Sequence, residues 1–224
     1  MTLLAAEGYC AVQGIRCREG EVAATLETVR LFMREHGVRI GSWWLCERST
    51  PVDVENKLVA LGLERVAGDY EVAGMLLDQE PPHAAPGVEA RRVRTADEYA
   101  AARELQYDVF DSPSGHRRTG AQLIEQFEGG TDVGAVYGAW IDDELVAVGR
   151  AFFAPQGALL AGGATLERAR GRGAYRALVR ARWDDVVERG GKALVVQAGS
   201  MSAPILQQLG FKQVLQFHRL EDVL

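Results

Sequence analysis

The residues with the most chemical potential are Arg168-Ala169-Arg170-Gly171-Arg172-Gly173-Ala174-Tyr175, which join an apolar segment to a helical one. Glycines at 171 and 173 let backbone N–H groups converge unobstructed, and the first N–H groups of the following helix are unpaired at its positive end. From Glu167 to Arg182 six arginines stand against one acid, in a chain whose formal net charge is −6. That local contrast selects an anion, and a pyrophosphate meets both demands. Arg176, Arg180, Asp184 and Glu188 also read as an exposed i, i+4 ladder, with Tyr175, Val179, Trp183 and Val186 on the buried face. A dinucleotide-binding GxGxxG is disfavoured, because the third glycine is absent and the preceding strand belongs to a meander.

The elements that must position this turn are legible around it. Residues 88–94 read as a strand, followed by a helix that Thr95 opens with Glu98 three residues later. After the loop Ser112-Pro113-Ser114-Gly115 comes a shorter helix near 121–128, ended by Gly129-Gly130. Strands at 133–141, 145–154 and 158–166, joined by Asp142-Asp143 and Pro155-Gln156-Gly157, form an antiparallel meander. A helix at 172–189, a strand at 193–198, a helix at 203–208 and a strand at 211–220 complete the order β-αα-βββ-αβ-αβ, an α+β arrangement with a mixed sheet. Upstream lie two helix–strand units, 21–35 with 40–45 and 52–61 with 70–77, the second helix opened by Ser49-Thr50-Pro51. This smaller αβαβ domain occupies residues 1–80. Pro81, Pro82, Pro86 and Gly87 make 81–88 a linker, and 89–224 is the second domain. Arg34-Glu35-His36-Gly37 and Leu61-Gly62-Leu63 echo Glu188-Arg189-Gly190-Gly191 and Leu209-Gly210-Phe211, as a decayed internal duplication would.

With these elements in place, residues 89–220 resemble the GNAT superfamily of acyl-CoA-dependent N-acyltransferases. The signature Arg/Gln-x-x-Gly-x-Gly/Ala is met by Arg168-Ala169-Arg170-Gly171-Arg172-Gly173. A second register, counted back from Leu178, places Arg170 to Tyr175 on the family stretch and puts Tyr175 where a small residue is usual. The family's second block, an Asn, an Ala, a Tyr and Leu-Gly-Phe, falls on Ser200, Ala203, Leu206 and Leu209-Gly210-Phe211, so two functional positions have changed.

The resemblance implies the GNAT fold and acetyl-CoA as acyl donor, in a wedge between the third meander strand and the strand at 193–198. Ala164, Thr165, Leu166, Arg170, Gly171, Arg172, Gly173, Ala174 and Tyr175 would bind it. Gly162-Gly163 read as a bulge that opens the backbone of Ala164, Thr165 and Leu166 to the pantetheine amides, or as a weak strand end. A backbone N–H near Thr165 or Leu166 could stabilise the oxyanion formed when an amine attacks the thioester. An alkyl ammonium must first lose a proton. Glu167 is the nearest carboxylate in sequence, although an acid there also complements the helix dipole. Leu206 stands where the family's acidic tyrosine would be, leaving Ser200, Ser202 or water for the thiolate. Asp108 and Asp111, beside His116, could attract a cationic amine or be plain loop residues; His218 reads as structural and Cys46 beside Trp43-Trp44 as packing.

Composition bounds the remainder. The 224 residues are 47% hydrophobic and 25% charged, as in a globular protein of one or two domains. Residues 1–88 carry 8 basic and 13 acidic groups, and the negative total argues against nucleic-acid or anionic-membrane partners. The uncharged stretch 151–166 is interrupted and shorter than the roughly 20 residues of a membrane span. With no basic leader before Glu7, the expected location is the cytoplasm. Cys10, Cys17 and Cys46 lack CxxC spacing, so reduced thiols and no metal site are expected. The activity read from these residues is acetyl transfer to the amine of a small molecule; the alternative is a non-catalytic acyl-CoA-binding or protein-interaction module. The half-fold at the N-terminus exposes a sheet edge, which either covers one side of the acceptor cleft or completes a homodimer.

Overall fold

The structure, a computed structural model, describes residues 1–6, 9–66, 70–114, 117–130 and 134–224. Two compact units emerge: residues 1–74 with 198–204 and 213–224, and residues 75–197 with 205–212.

In the first unit β1 (Thr2–Ala6) and β2 (Tyr9–Gln13) form an antiparallel pair. A crossover through α1 (Val22–Glu35) then brings β3 (Ile40–Cys46) parallel to β2. Val22, Leu26, Val29 and Met33 recur at helical spacing on α1 and are buried, so its apolar stripe faces Val12, Trp43 and Leu45 of these strands in one core. α2 (Val54–Ala60) adds Val54 and Leu58 to that core. The helix starts two residues later than the sequence predicts, and the Ser49 hydroxyl accepts the Cys46 N–H at 3.1 Å instead of capping it. β1, β2 and the short β4 (Glu64–Arg65) are absent from the sequence reading. β2 pairs with β3 and β4 with β11, both distant in sequence.

The expected division at 81–88 is corrected as well. The boundary lies after Gly74, within β5 (Glu71–Leu77), and the last strand, β11 (Lys212–Val223), belongs to the first unit. A seven-pair antiparallel ladder with β3, from Phe217 opposite Cys46 to Val223 opposite Ile40, outweighs its closeness in sequence to the second unit. Arg30 on α1 fixes the same strand with two bonds, at 2.9 and 2.8 Å, to the buried Asp222 carboxylate. At Gly74, a Cβ would lie 2.8 Å from the Phe217 ring and 2.9 Å from Leu215 Cβ, so only glycine lets β11 approach there.

The second unit carries β6 (Val88–Arg92), α3 (Ala96–Val109), α4 (Gly120–Glu128), β7 (Ala135–Ile141), β8 (Glu144–Ala154), β9 (Gly157–Thr165), α5 (Ala174–Glu188) and β10 (Ala193–Ala198), in the strand order β10-β9-β8-β7-β6. Val133, expected to begin β7, lies outside the described residues. Asp142 and Asp143 both take left-handed conformations, φ +52° and +63°, as the predicted two-residue hairpin requires. Val136, Val148 and Ala164 pack with Tyr99, Ala102 and Leu105 of α3. Their neighbours Tyr137, Gly149 and Gly163 meet Asp185, Arg182 and Tyr175 of α5, so the two helices cover opposite faces. α6 (Ala203–Gln208) ends at Leu209-Gly210-Phe211, with Leu206, Leu209 and Phe211 buried and Gly210 at φ +96°. Among the described residues no helix is long and apolar enough to cross a membrane.

The predicted Thr95 cap is present, its hydroxyl accepting the Glu98 N–H at 3.2 Å. Glu98 does more than close this box: it accepts the Arg94 N–H at 2.8 Å and both Arg91 Nη groups, at 2.7 and 3.1 Å. Arg91 holds its carboxyl down at about 2. A depressed carboxylate stabilises the fold above its unfolded pKa, and that stability vanishes as pH falls through the folded value. Glu98→Gln should therefore cost about 1–3 kcal/mol at pH 7 and almost nothing near pH 2, as measured by urea unfolding of both proteins across that range.

Candidate functional site

β9 ends at Thr165, a single 3-10 turn covers Glu167–Ala169, and α5 begins at Ala174. Buried Ala169 anchors the turn, and its carbonyl accepts the Arg172 N–H at 3.3 Å. Gly171 and Gly173 both sit in the left-handed region, φ +77° and +88°. Gly173 occupies the N-cap and offers no side chain to it, and Ala177 is the first residue to reach back, to Gly173 O at 3.0 Å. The N–H groups of Ala174, Tyr175 and Arg176 consequently have no carbonyl within the helix, at the positive end of a 15-residue dipole. A Cβ on Gly171 would meet nothing within 4 Å, whereas one on Gly173 would lie 2.9 Å from Ala85 Cβ.

The arginines divide by partner. Arg168 pairs with Glu144, and Arg172 lies 3.6 Å from Asp142. Arg170 is exposed and makes no ion pair among the described residues. Arg180 takes part in the exposed ladder through Asp184 at 2.8 Å, and also grips the linker through Glu80 at 2.6 Å and His83 Nδ1 at 3.1 Å.

Arg182 is the residue that sequence reading missed. It falls on the Leu178–Val186 stripe at i, i+4 spacing, which was the available signal, and its side chain is 1% exposed. Nε donates to Leu178 O at 2.9 Å and Nη1 to Arg150 O at 3.3 Å, while Nη2 has no partner and no carboxylate pairs with it among the described residues. Burial pushes this guanidinium down from the usual arginine range.

Three glycines make room for the side chains around this point. β8 and β9 lose register between Val148 and Arg150, so Gly162 and Gly163 stand against Gly149 in a bulge, with Gly162 at φ +59°. A Cβ on Gly149 would lie 2.8 Å from Arg182 Nη1, one on Gly162 2.3 Å from Gln106 Nε2, and one on Gly163 2.9 Å from Tyr175 Cε2. Tyr175 thus fills the room left by the glycine of the bulge.

At the bulge, β9 loses one neighbour. Its parallel pairing with β10 runs from Gly157 opposite Ala193 to Leu160 opposite Val196, leaving Ala161–Thr165 unpaired on that side. In an antiparallel ladder bonded and non-bonded pairs alternate. Leu166 N–H donates to Val146 O at 2.9 Å, so the amides of Leu166 and Ala164 face β8 and that of Thr165 faces away from it. Of the three backbone positions expected to be open, Thr165 alone meets the requirement; Leu166 is corrected to a ladder donor, and buried Ala164 packs with α3.

The remaining candidates are scattered. Glu167 is exposed at the start of the turn. Ser200 is exposed in the 198–204 segment of the first unit, where the Ser202 hydroxyl donates to Gly199 O at 3.3 Å. Asp108 is held by Arg117 at 2.6 Å and so is no free anion for an amine; Asp111 adopts φ +47°, and His116 lies outside the described residues. His218 Nδ1 meets Glu55 at 2.7 Å and its ring stacks on Tyr70. Trp43 is fully buried, and Cys46 is partly buried.

A buried cation without an acid is costly to the fold, and an apolar side chain of similar length avoids that cost. Arg182→Met is expected to leave the thermal midpoint unchanged or raise it; a loss above about 2 kcal/mol in urea unfolding would show that its two carbonyl bonds outweigh desolvation.

No sequence-family model and no curated protein matches the chain. Solved structures do. A GCN5-related N-acetyltransferase from Kribbella flavida is 21% identical with a TM-score of 0.69, over 96% of this chain and 80% of its own. A GCN5-related N-acetyltransferase from Sphaerobacter thermophilus is 16% identical with a TM-score of 0.68, over 99% and 75%. A tandem GNAT protein from the clavulanic acid biosynthesis pathway is 16% identical with a TM-score of 0.67, over 96% and 75%. The glycine–arginine turn, the bulged meander and the half-paired β9 thus sit in a chain that has the fold of the GCN5-related N-acetyltransferases.

Proposed function

We propose that the second unit transfers an acyl group, acetyl in the simplest case, from acyl-CoA to the amine of a small molecule. The observation that carries this reading is the unpaired run Ala161–Thr165 on β9, which leads directly into the glycine–arginine turn. An extended chain bearing amides can complete the ladder along that run, and a diphosphate at its end would take the N–H groups of Ala174, Tyr175 and Arg176, with Arg170 and Arg172 supplying charge. Gly171 and Gly173 keep the backbone of the turn accessible.

In the reaction an amine nitrogen bonds to the thioester carbonyl, the C–S bond breaks, and the sulfur leaves with a proton. The Thr165 N–H is the donor for the transient oxyanion, worth about 3 kcal/mol in comparable sites. The amine must be neutral to attack, and Glu167, exposed next to Leu166, is the carboxylate available for its proton. Solvent would return a proton to the sulfur. A thiol is a tolerable leaving group, so a weak donor slows the step without stopping it.

A second reading is an acyl-CoA-binding module without turnover. Leu206, fully buried and unable to donate a proton, favours it. The module should bind acetyl-CoA with no amine-dependent thiol release, whereas the enzyme should release CoA once its acceptor is added.

Gly173→Asp tests the turn. It sets a side chain at φ +88°, drives it into Ala85 and adds a negative charge beside the diphosphate. Calorimetry with acetyl-CoA should show affinity falling by about a hundredfold or more, and unchanged affinity would remove this turn from the site.

A further inference from the structure

The α3 side of the bulge carries cations rather than the acids that a simple amine would need. Gln106 donates to Gly162 O at 2.7 Å, which fixes its amide and turns Oε1 toward Arg103, whose Nη1 donates to it. The Arg103 guanidinium otherwise lies over the Tyr107 ring at 5.2 Å, its Nε is buried without a partner, and it makes no ion pair among the described residues. Its contacts among the described residues are therefore neutral. Arg150 comes to the same glycine, its Cδ 3.9 Å from where a Gly162 Cβ would be. Of the two acids considered for an amine, Asp108 is already taken by Arg117.

A half-buried guanidinium held in a fixed pose by an amide and a ring, with no anion, is arranged for a planar anion that arrives from outside. The Arg103 guanidinium also repels a dication. We propose that the acyl acceptor is an amine that also bears a carboxylate, an α-amino acid or a close analogue, whose carboxylate is bound by Arg103 with Arg150 adding charge. The proposal rests on the acyl-transfer reading and narrows it, excluding polyamines and uncharged amines as the favoured acceptors. Gln106 acts here as a positioning residue, because it contacts Arg103 and the bulge.

The test is CoA release from acetyl-CoA by the full chain with three acceptor sets: the common L-amino acids, the same compounds as amides, and linear polyamines. The carboxylates should lead their amides by about tenfold or more in kcat/KM, as a bond between charged groups implies. Arg103→Gln should raise KM for the carboxylates by about 10–100-fold, change kcat little and leave the amides untouched, and Arg103→Lys should recover part of the loss. Circular dichroism and acetyl-CoA affinity, both unchanged in the variants, exclude misfolding. The proposal is overturned if amides or polyamines react as well as the carboxylates, if no carboxylate reacts while acetyl-CoA binds, or if Arg103→Gln affects all acceptors alike. Wild-type protein that binds no acetyl-CoA would instead refute the acyl-transfer reading beneath it.

Discussion

One extra residue in β9 organises the second unit. Where Gly162 and Gly163 stand against Gly149, the ladder cannot continue in register, and Gly162 resolves the mismatch in a conformation that other residues avoid. The glycines remove three side chains where Arg182, Tyr175 and Gln106 approach the sheet. Arg182 and Tyr175 use that room from the α5 face and Gln106 from the α3 face, so one irregularity ties both helices to the sheet. It also sets the phase of the strand beyond it. That phase decides that Thr165, rather than Ala164 or Leu166, turns its amide away from β8.

Electrostatics in this chain follows pairing more than composition. The run from Glu167 to Arg182 looks uniformly basic, yet Arg168, Arg172 and Arg180 each have acids supplied from the β7–β8 hairpin, the linker or the same helix. Asp108 looks like a free carboxylate and is neutralised nine residues later. Arg170 at the surface, Arg103 half-buried and Arg182 in the interior are among the cations that make no ion pair with a described residue. Each is placed where an anion or a dipole would be welcome, and none strengthens the fold through an ion pair.

The parts of this arrangement that could be read from sequence are those written in neighbouring residues. The hairpin at Asp142-Asp143, the Thr95 cap, the glycine turn and the buried stripe of α5 depend on spacing within one or two turns of chain, and the structure places them as expected. The bulge was legible for the same reason, since two adjacent glycines in a strand have few other uses. What escaped depends on distant partners. β1 and β2 exist because β3 is there to pair with β2, and β11 joins the first unit through Arg30 and Asp222, 192 positions apart. Arg182 sat on a visible stripe but carried the wrong polarity for it, and the open amide at Thr165 follows only from a ladder that no local pattern records.

The unpaired stretch of β9 has a further consequence, for solubility. A free strand edge invites any extended chain, including another molecule of the same protein, to add itself by main-chain bonds. Here the unpaired run is five residues long and starts at a bulge, which bends and twists the strand away from the flat geometry that sheet growth requires. The distortion that opens the edge therefore also shields it: a short ligand can follow the bend, while a regular β-strand would lose register after a few bonds. The same two glycines serve access and protection from aggregation.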